Sequence, residues 1–393
     1  MSLDPTQESI LNDKTAVLAL DRSGLFEEQL CFPDNLRKAI ARAKSVRLPK
    51  EVKIGDRVVR YAGIKKVAVA GMGGSAIAGD ILKDWIGSEV KVLMEICRGY
   101  NLPAYIDTDS LVFVMSYSGD TEETLSCMLN AVERECKIVS ISSNGALRRA
   151  TETLGLPFIQ LPKMAAARAS LPYLFAPLPH LLAKLGILSS GKVERNMKAT
   201  VEVLDELTKK YAVEVPVEKN LAKQTARKLY DTVPIIYSCN PYRSAALRFK
   251  DQVNENCKLP ARFDVFPELN HNEIIGWEAS NEITRRYSLV LLRGVEELPE
   301  VRERIDVLKE KVFTRKARSV IEIMAQGETK LARIFALIFT VDMISMYLAV
   351  LYNRDPTASE IFPLLKHDIT ERLGTLEKLE EQIQKLALSS RRH

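Results

Sequence analysis

The sequence predicts an α/β protein built from two doubly wound domains, each with a mostly parallel sheet flanked by helices. At 393 residues the chain is longer than one ordinary hydrophobic core supports. Short apolar runs typical of buried strands alternate with helical stretches between residues 65 and 160. The same alternation resumes after a charged helical segment at 193–211. Strands that alternate with helices indicate parallel sheets, and two such series indicate two domains.

These patterns divide the chain into four parts. The predicted parts are a largely helical N-terminal extension at 1–60, a first domain at 61–190, a helical linker at 191–215, and a second domain with C-terminal helices at 216–393. The second domain has the element order of a degenerate copy of the first, although no repeat is visible in the letters.

Apolar runs and helical periodicity predict the elements of the first half. A helix is predicted at 36–45, ended by Pro49. The strands of the first domain are predicted at 67–70, 90–95, 111–115, 137–142 and 157–160. The helices between them are predicted near 75–86, 121–135 and 145–153.

The second half has a similar order of elements. Its strands are predicted at 234–238, 261–265, 288–292 and 320–323. Its helices are predicted near 217–230, 243–258, 297–314 and 327–351, with a charged helix at 372–388. Residues 331–352 are apolar enough to resemble a membrane span, but Arg333 and Asp342 would be costly in lipid. A long core helix and no membrane contact are therefore predicted.

Composition excludes several classes of protein. The net charge of +5 is small against 56 Lys/Arg and 51 Asp/Glu, so nothing favours nucleic acid as a partner. Six cysteines without a CxxC pair are typical of a reducing compartment, and the cytoplasm is predicted. The N-terminus is polar and acidic, unlike a conventional signal peptide. Four scattered histidines and no HExxH pattern predict no metal site.

Two strand-to-helix junctions in the first domain carry the main evidence for function. Gly71-Met-Gly-Gly-Ser-Ala76 follows the strand at 67–70, and Ser116-Tyr-Ser-Gly-Asp-Thr-Glu-Glu-Thr124 follows the strand at 111–115. Backbone N–H groups at a helix N-terminus, with hydroxyl groups around them, bind phosphate well. Two such loops predict one phosphorylated ligand held from two sides.

Both loops also allow other interpretations. The first fits G-x-G-x-x-A, and Glu95 ends a following strand, as in a dinucleotide site. A dinucleotide fold needs only one such loop, whereas the second carries four hydroxyls, which favours a sugar phosphate. The second loop is also consistent with helix capping by Ser118 or Asp120, with Glu123 completing a capping box.

Candidate catalytic residues are less distinctive when each is taken alone. Taken alone, Glu255 is typical of a solvated carboxylate at a helix end, and Lys366 is typical of a surface lysine. His271 lies between two asparagines in an irregular segment, where a structural and a catalytic role are both open. Arg168 is an isolated cation among small residues just past a strand, which suggests an anion partner.

Together these motifs resemble the bifunctional phosphoglucose/phosphomannose isomerase family, which is built from two sugar isomerase domains. The resemblance covers about residues 65–366. It rests on Gly71-Met-Gly-Gly-Ser-Ala-Ile-Ala-Gly79, on the Ser116–Thr124 loop, and on Glu268-Leu-Asn-His-Asn-Glu273, in this order and spacing. The resemblance implies a homodimer, with the active site between the two domains and completed by a histidine from the other subunit.

The resemblance also implies roles for individual residues. Implied ligands of the substrate phosphate are Gly74, Ser75, Ser116, Ser118 and Thr121. Implied catalytic residues are Glu255 as the base, Arg168 as the cation that stabilises the enediolate, and His271 with Lys366 for ring opening. The family has a threonine near its C-terminal lysine; here Ser359, or alternatively Thr357, would take that place.

The implied reaction is reversible isomerisation of glucose 6-phosphate, and of mannose 6-phosphate, with fructose 6-phosphate. One carboxylate can move the proton between C1 and C2, so neither a metal nor a redox cofactor is expected. The alternative is a sugar-phosphate sensor that uses the same loops without catalysis. The purpose of the N-terminal extension cannot be read from the sequence.

Overall fold

The computed structural model describes residues 9–54 and 56–389. The chain divides into two compact units. We call the first the first-sheet unit; it contains Asp34–Glu194 and the C-terminal segment from Ser359. We call the other the second-sheet unit; it contains the described residues up to Pro33 together with Arg195–Ala358.

The described residues contain eleven strands. In chain order they are β1 (Glu51–Ile54), β2 (Arg57–Arg60), β3 (Lys66–Ala70), β4 (Leu93–Cys97), β5 (Ser110–Ser116), β6 (Lys137–Ser142), β7 (Phe158–Gln160), β8 (Val233–Cys239), β9 (Arg262–Phe266), β10 (Tyr287–Arg293) and β11 (Ser319–Met324).

The α-helices of both units are also numbered in chain order. They are α1 (Lys14–Leu20), α2 (Leu25–Leu30), α3 (Phe32–Ser45), α4 (Gly73–Ile86), α5 (Glu122–Glu133), α6 (Gly145–Thr153), α7 (Leu171–Phe175), α8 (Pro177–Lys184), α9 (Ser190–Tyr211), α10 (Leu221–Leu229), α11 (Arg243–Gln252), α12 (Asn281–Thr284), α13 (Pro299–Leu308), α14 (Thr314–Lys316), α15 (Lys330–Leu351), α16 (Ile361–Leu373) and α17 (Thr375–Ser389).

Five parallel strands form the sheet of the first-sheet unit, in the order β4-β3-β5-β6-β7. Every residue of β5 and β6 is buried. Strands buried along their whole length need cover on both faces, which is why helices alternate with them. The doubly wound α/β class predicted from the sequence is confirmed here.

A second parallel sheet, in the order β11-β10-β8-β9, forms the centre of the second-sheet unit. The first strand of each series, β3 or β8, has the next strand on one side and the third on the other. Both sheets therefore share the strand order 2-1-3-4, and the first has one strand more. This supports the expectation that the second domain is a degenerate copy of the first.

Two elements in the first half of the chain differ from the prediction. Residues 51–54 and 57–60 form the antiparallel strand pair β1–β2, within a region predicted to be largely helical. Its short strands place Val52, Ile54 and Val59 inside and charged residues outside, as a two-residue period requires. The strand predicted at 90–95 is β4, which begins at Leu93, so Glu95 lies in its middle.

The C-terminal helices group with the first-sheet unit, whereas the sequence analysis assigned them to the second domain. Leu379 and Ile383 of α17 are buried, and α17 contacts α5 and α6. Arg149 of α6 also pairs with Glu380 at 2.7 Å. The amphipathic tail thus covers helices of the first sheet, which its sequence alone does not specify.

Helix α15 is the core helix predicted at 327–351. It is long and apolar enough to cross a membrane, but the most apolar stretch of it is entirely buried inside the protein. Asp342, a buried carboxylate on this helix, is paired with Arg248 of α11 at 2.7 Å. The core-helix interpretation is confirmed, and the ion pair explains how the helix accommodates a carboxylate.

Candidate active site

The two phosphate-type loops follow β3 and β5, which are neighbours in the first sheet. β4 lies on the other side of β3, so the strand order reverses between β3 and β5. In open α/β sheets ligands bind at the carboxyl ends of the strands at such a switch point. The tertiary structure therefore brings the two sequence motifs to one edge of the sheet.

The first loop packs so tightly that its glycines are required. A Cβ atom on Gly71 would lie 2.8 Å from the carbonyl oxygen of Met115, which belongs to β5. Gly73 adopts φ +49° and begins α4. The cap residue Met72 offers no side-chain hydrogen bond, so the first N–H groups of α4 keep their capacity to bind an anion. Ser75, in this first turn, is buried.

The second loop gathers three of the predicted phosphate ligands. The Ser116 hydroxyl lies 2.8 Å from that of Thr121 and 3.4 Å from that of Ser118. Ser116 also accepts a hydrogen bond from the N–H of Gly119 at 3.0 Å. Gly119 has φ +83°, and a Cβ there would lie 1.7 Å from the carbonyl oxygen of Asn144. The hydroxyl cluster depends on this glycine turn.

The capping interpretation of the second loop is wrong. The cap residue of α5 is Thr121, and its side chain makes no capping hydrogen bond. Asp120 instead accepts from the N–H of Ala146 at 2.8 Å, in the first turn of the neighbouring helix α6. The Ser118 hydroxyl accepts from the N–H of Asp120, outside the helix. The N-terminus of α5 therefore faces the switch point without an internal cap.

Arg168 lies beside the first loop. It belongs to a short 3₁₀ helix, Ala167–Ser170, and is half-buried. A Cβ on Gly74 would be 3.6 Å from the Cα of Arg168, so the two backbones are adjacent. A guanidinium at this position can face an anionic group bound by the loop.

Tyr117, which no sequence motif singles out, connects the second loop to the segment that precedes Arg168. Its hydroxyl accepts from the N–H of Met164 at 2.7 Å, and its carbonyl oxygen accepts from the Ser143 hydroxyl at 2.6 Å. The available signal was an aromatic residue with a polar tip placed between two predicted ligands, Ser116 and Ser118.

Glu95, the acidic residue on which the dinucleotide interpretation depends, does not lie at the end of its strand. Glu95 lies in the middle of β4 and accepts a hydrogen bond from the Tyr105 hydroxyl at 2.8 Å. In a dinucleotide fold the acidic residue at the end of the second strand binds the ribose. Glu95 is engaged before that end, so the first loop does not act in that motif.

Glu255 lies in the second-sheet unit, in a five-residue π-helix, Val253–Cys257, that continues α11. Its neighbours Val253, Asn256 and Cys257 are buried, whereas Glu255 is exposed. A π-helical turn is wider than an α-turn and often marks a functional site. The predicted helix end therefore has a special geometry that its sequence does not announce.

His271 is exposed at the end of a 3₁₀ turn, Glu268–His271, that follows β9. Glu273, two residues on, accepts from Tyr237 at 3.0 Å and from Arg262 at 2.8 Å, which anchors the segment to the sheet. Glu255 precedes β9 and His271 follows it. The five residues of β9 therefore lie between the two segments along the chain.

The C-terminal candidates belong to the first-sheet unit. Lys366 is exposed on α16. Ser359 is exposed and accepts a weak hydrogen bond from the N–H of Phe362 at 3.4 Å. Thr357, in the second-sheet unit, is bonded to Ser23 and to Asp355 at 2.8 Å each. The convergence of Glu255, His271, Lys366 and Ser359 with the phosphate loops stays a prediction.

The switch point of the second sheet, between β8 and β10, is filled by the protein's own charges. Arg293 pairs with Glu297 at 2.7 Å, and Glu297 also accepts from the N–H of Gly294 at 3.1 Å. Arg333 donates to Glu296 at 2.8 Å. Burial raises the pKa of Glu296, but hydrogen bonds from Arg333 and Tyr242 and the arginine charge lower this pKa overall. Carboxylates thus occupy the place that phosphate would take in the first sheet.

The fold and the first-sheet loops define a sugar isomerase (SIS) class of protein. The family model "Bacterial phospho-glucose isomerase C-terminal SIS domain" matches residues 218–369. A solved structure, a glucose-6-phosphate isomerase like protein from Thermus thermophilus, aligns over 93% of this chain and 99% of its own at TM-score 0.55 and 21% identity. That likeness shows the fold alone.

Two curated relatives narrow the class. A bifunctional phosphoglucose/phosphomannose isomerase from Caldicellulosiruptor bescii is 38% identical over 88% of this chain and 99% of its own length. One of the same name from Aquifex aeolicus is 31% identical over 78% of this chain and 90% of its own. The chain belongs to the bifunctional phosphoglucose/phosphomannose isomerase family, as the sequence motifs indicate.

Proposed function

We propose that this protein reversibly converts glucose 6-phosphate, and also mannose 6-phosphate, into fructose 6-phosphate. The observation that carries the proposal is the pair of uncapped helix N-termini at one switch point, with the Ser116 hydroxyl within 3.4 Å of those of Ser118 and Thr121. Membership of a family whose relatives bear both substrate names supports it. A sensor without catalysis is not favoured for the same reason.

The phosphate of the substrate would be held by the first-sheet loops. The N–H group of Gly74 in the α4 first turn and the Ser75 hydroxyl would donate to it, as would the clustered hydroxyls of the second loop. Arg168, adjacent to Gly74, would supply a positive charge toward the reacting end of the sugar.

Proton transfer would proceed through a cis-enediolate. Glu255 would take the proton from C2 of the aldose and return it to C1, while a proton moves from O2 to O1. The electron pair of the broken C–H bond passes into the C1–C2 double bond of the enediolate, and Arg168 would stabilise the negative oxygen. His271 and Lys366 would exchange protons at the ring oxygen and O1 during ring opening. C2 becomes planar, so one base can serve both aldose phosphates.

The family resemblance implies that a histidine of the other subunit completes the site, and one observation supports a homodimer. Helix α16, which carries Lys366, has no buried residue and exposes Ile361, Phe362, Leu364 and Leu365 by 57–78%. An apolar face of this kind usually marks an interface. We propose a second copy of the chain as its partner.

Coupled assays of the purified protein with each aldose phosphate test the proposal. Glu255→Gln should bind substrate but lose about 10²–10⁴-fold in kcat, since an amide cannot accept the C2 proton. Glu282→Gln, an exposed carboxylate on α12, is the control and should leave kcat unchanged. Absence of turnover with both sugars, or full activity of Glu255→Gln, would overturn the assignment.

Chelation tests the metal-free mechanism. Within residues 9–54 and 56–389, no group of three His, Cys, Asp or Glu side chains could hold a metal ion. Because a carboxylate base can transfer the proton without a metal, activity should persist after dialysis against EDTA. Loss that returns with a divalent cation would contradict this mechanism while leaving the isomerase assignment intact.

The cytoplasm is the proposed compartment. None of the six cysteines forms a disulfide. Burial raises the pKa of Cys127 and of Cys136 to about 11, which keeps both thiols protonated and unreactive near neutral pH.

A further inference from the structure

We propose that Asp342 and Ser345 of the core helix α15 are positioning residues for the catalytic base. Together with Arg248, Gln252 and Asn256 they form a continuous set of polar contacts, which we call the α15 ladder. This inference rests on the proposed role of Glu255. The π-helix Val253–Cys257 carries this carboxylate, and the α15 ladder holds it against the largely apolar helix α15.

The first contacts of the ladder join α15 to α11. Arg248 donates to Asp342 through Nε at 2.8 Å and through Nη2 at 2.7 Å, with both side chains at most 3% exposed. Gln252, one turn further along α11, donates to the same carboxylate at 3.0 Å. Gln29 of α2 donates to its other oxygen at 3.0 Å. The carboxylate thus fixes the last turn of α11 before the π-helix begins.

The next contacts reach the π-helix itself. The Ser345 hydroxyl donates to the carbonyl oxygen of Asp342 at 2.7 Å and accepts from the Asn256 side-chain amide at 2.8 Å. The Cys257 thiol donates to the carbonyl oxygen of Ser345 at 3.0 Å. The two residues that directly follow Glu255 are therefore held by one serine, one turn of α15 beyond Asp342.

The far end of the π-helix is closed by Lys258. Its backbone is left-handed, with φ +58°. Its ammonium group donates to the carbonyl oxygens of Glu255 and Asn256 at 3.0 and 3.2 Å, and to those of Asp355 and Pro356 at 2.7 and 3.0 Å. The backbone around Glu255 is held from both sides while its side chain is exposed.

Burial of this polar set is not explained by stability alone. A buried ion pair seldom stabilises a core more than apolar residues of the same size would. A π-helical turn departs from the regular hydrogen-bond pattern of an α-helix. Contacts from other elements therefore help to fix its position. A base must be held at about 3 Å from the atom whose proton it removes, and the ladder provides that restraint.

Removing the Ser345 hydroxyl tests this role. Ser345→Ala should lower kcat roughly tenfold while KM for glucose 6-phosphate changes by less than about twofold, since the phosphate loops belong to the first-sheet unit. Exchange of the C2 proton with deuterated water should fall by the same factor as kcat.

Thr340→Val is the matched control. Thr340 lies on the same helix, is 4% exposed, and donates to the carbonyl oxygen of Ala336 at 2.7 Å within α15. Both variants lose one buried hydroxyl, and urea unfolding of each separates a loss of stability from a loss of activity. Only Ser345→Ala should show a lowered kcat. Equal kcat in the two variants would overturn the proposal.

A second variant removes the other partner of the contact. Asn256→Ala should reproduce the kcat loss of Ser345→Ala, and the double variant should lose no more than either alone. Fully multiplicative losses would mean that the two residues act independently, which contradicts the ladder.

The same experiments separate this inference from the proposed function. If Glu255→Gln keeps full activity, the base is assigned wrongly and the ladder has no catalytic residue to position. If Glu255→Gln is inactive and Ser345→Ala behaves like Thr340→Val, the function stands and the positioning role fails.

Discussion

Lys223 shows how one residue can depart from its expected surroundings. It lies on α10 and is fully buried. Its ammonium group donates to the carbonyl oxygens of Val213 and Val215 at 2.7 and 2.8 Å and lies 5.3 Å from the Tyr347 ring centroid. Burial lowers the pKa of Lys223 from 10.5 to about 8, although nearby glutamates partly oppose the shift.

This pKa predicts a pH dependence of stability. Between pH 8 and 10.5 the unfolded chain binds more protons at this lysine than the folded chain does. The unfolding free energy of the wild type, measured relative to Lys223→Met, should therefore rise with pH in that window. The slope can reach about 1.4 kcal/mol per pH unit. Urea unfolding at pH 7, 8, 9 and 10 measures it.

Lys228→Met, an exposed lysine on the same helix, is the control. Its difference from the wild type should be the same at all four pH values. A flat difference for Lys223→Met as well would show that this lysine titrates alike in both states.

Gly119 carries the second prediction at the scale of a residue. Gly119→Ala would combine φ +83° with a Cβ 1.7 Å from a backbone oxygen, so the Ser116–Thr121 loop must move. We expect KM for both sugar phosphates to rise at least about tenfold through loss of the hydroxyl cluster.

The matched control is Gly155→Ala, with φ +64° and nothing within 4 Å of the added Cβ. It should cost about 1–2 kcal/mol of stability from the left-handed backbone and leave KM unchanged. Equal KM values for the two variants would contradict the role of the turn.

At the scale of elements, long periodic segments were predicted well and short ones were not. The strands β5 and β6 are buried along their whole length and lie where predicted. The strand pair β1–β2 has only four residues in each strand, too few for its alternation to be distinguished from a helix end. The start of β4 is predicted three residues too early, because the apolar residue Val90 precedes the strand without belonging to it.

Helix α15 gives the prediction at this scale. Asp342→Asn should destabilise the protein by about 3–5 kcal/mol, because it leaves the Arg248 charge buried without a carboxylate. Urea unfolding measures the change. Glu152→Gln, which removes the exposed Arg148 pair on α6, should change stability by less than about 0.5 kcal/mol. Similar shifts in both variants would mean that the buried pair contributes no more than a surface pair.

At the scale of the whole molecule, the two sheets share a topology but differ at their switch points. The first presents uncapped helix N-termini and hydroxyls, and the second contains Arg293–Glu297 and Arg333–Glu296 pairs. One ligand-binding edge per chain is consistent with the proposed function, and an exposed helix is consistent with a second chain.

Helix α16 predicts the oligomeric state. Ile361, Leu364 and Leu365 lie three and four residues apart, on one face of the helix. Leu364→Asp should shift the protein from dimer to monomer in light scattering and lower activity per chain, since His271 would come from a second copy. Val295→Asp, at a position 65% exposed in the second-sheet unit, should change neither. A wild type that is monomeric and fully active would contradict the dimer.

The sequence by itself determined the α/β class, the core helix, the two phosphate-type loops and the family, because periodicity and motif spacing are local properties of the chain. Only the tertiary structure decided which loops are neighbours, that Asp120 caps α6, that the tail covers the first sheet, and that Ser345 holds Asn256. Each of these contacts joins residues distant along the chain, so it depends on strand order and packing that no local pattern records.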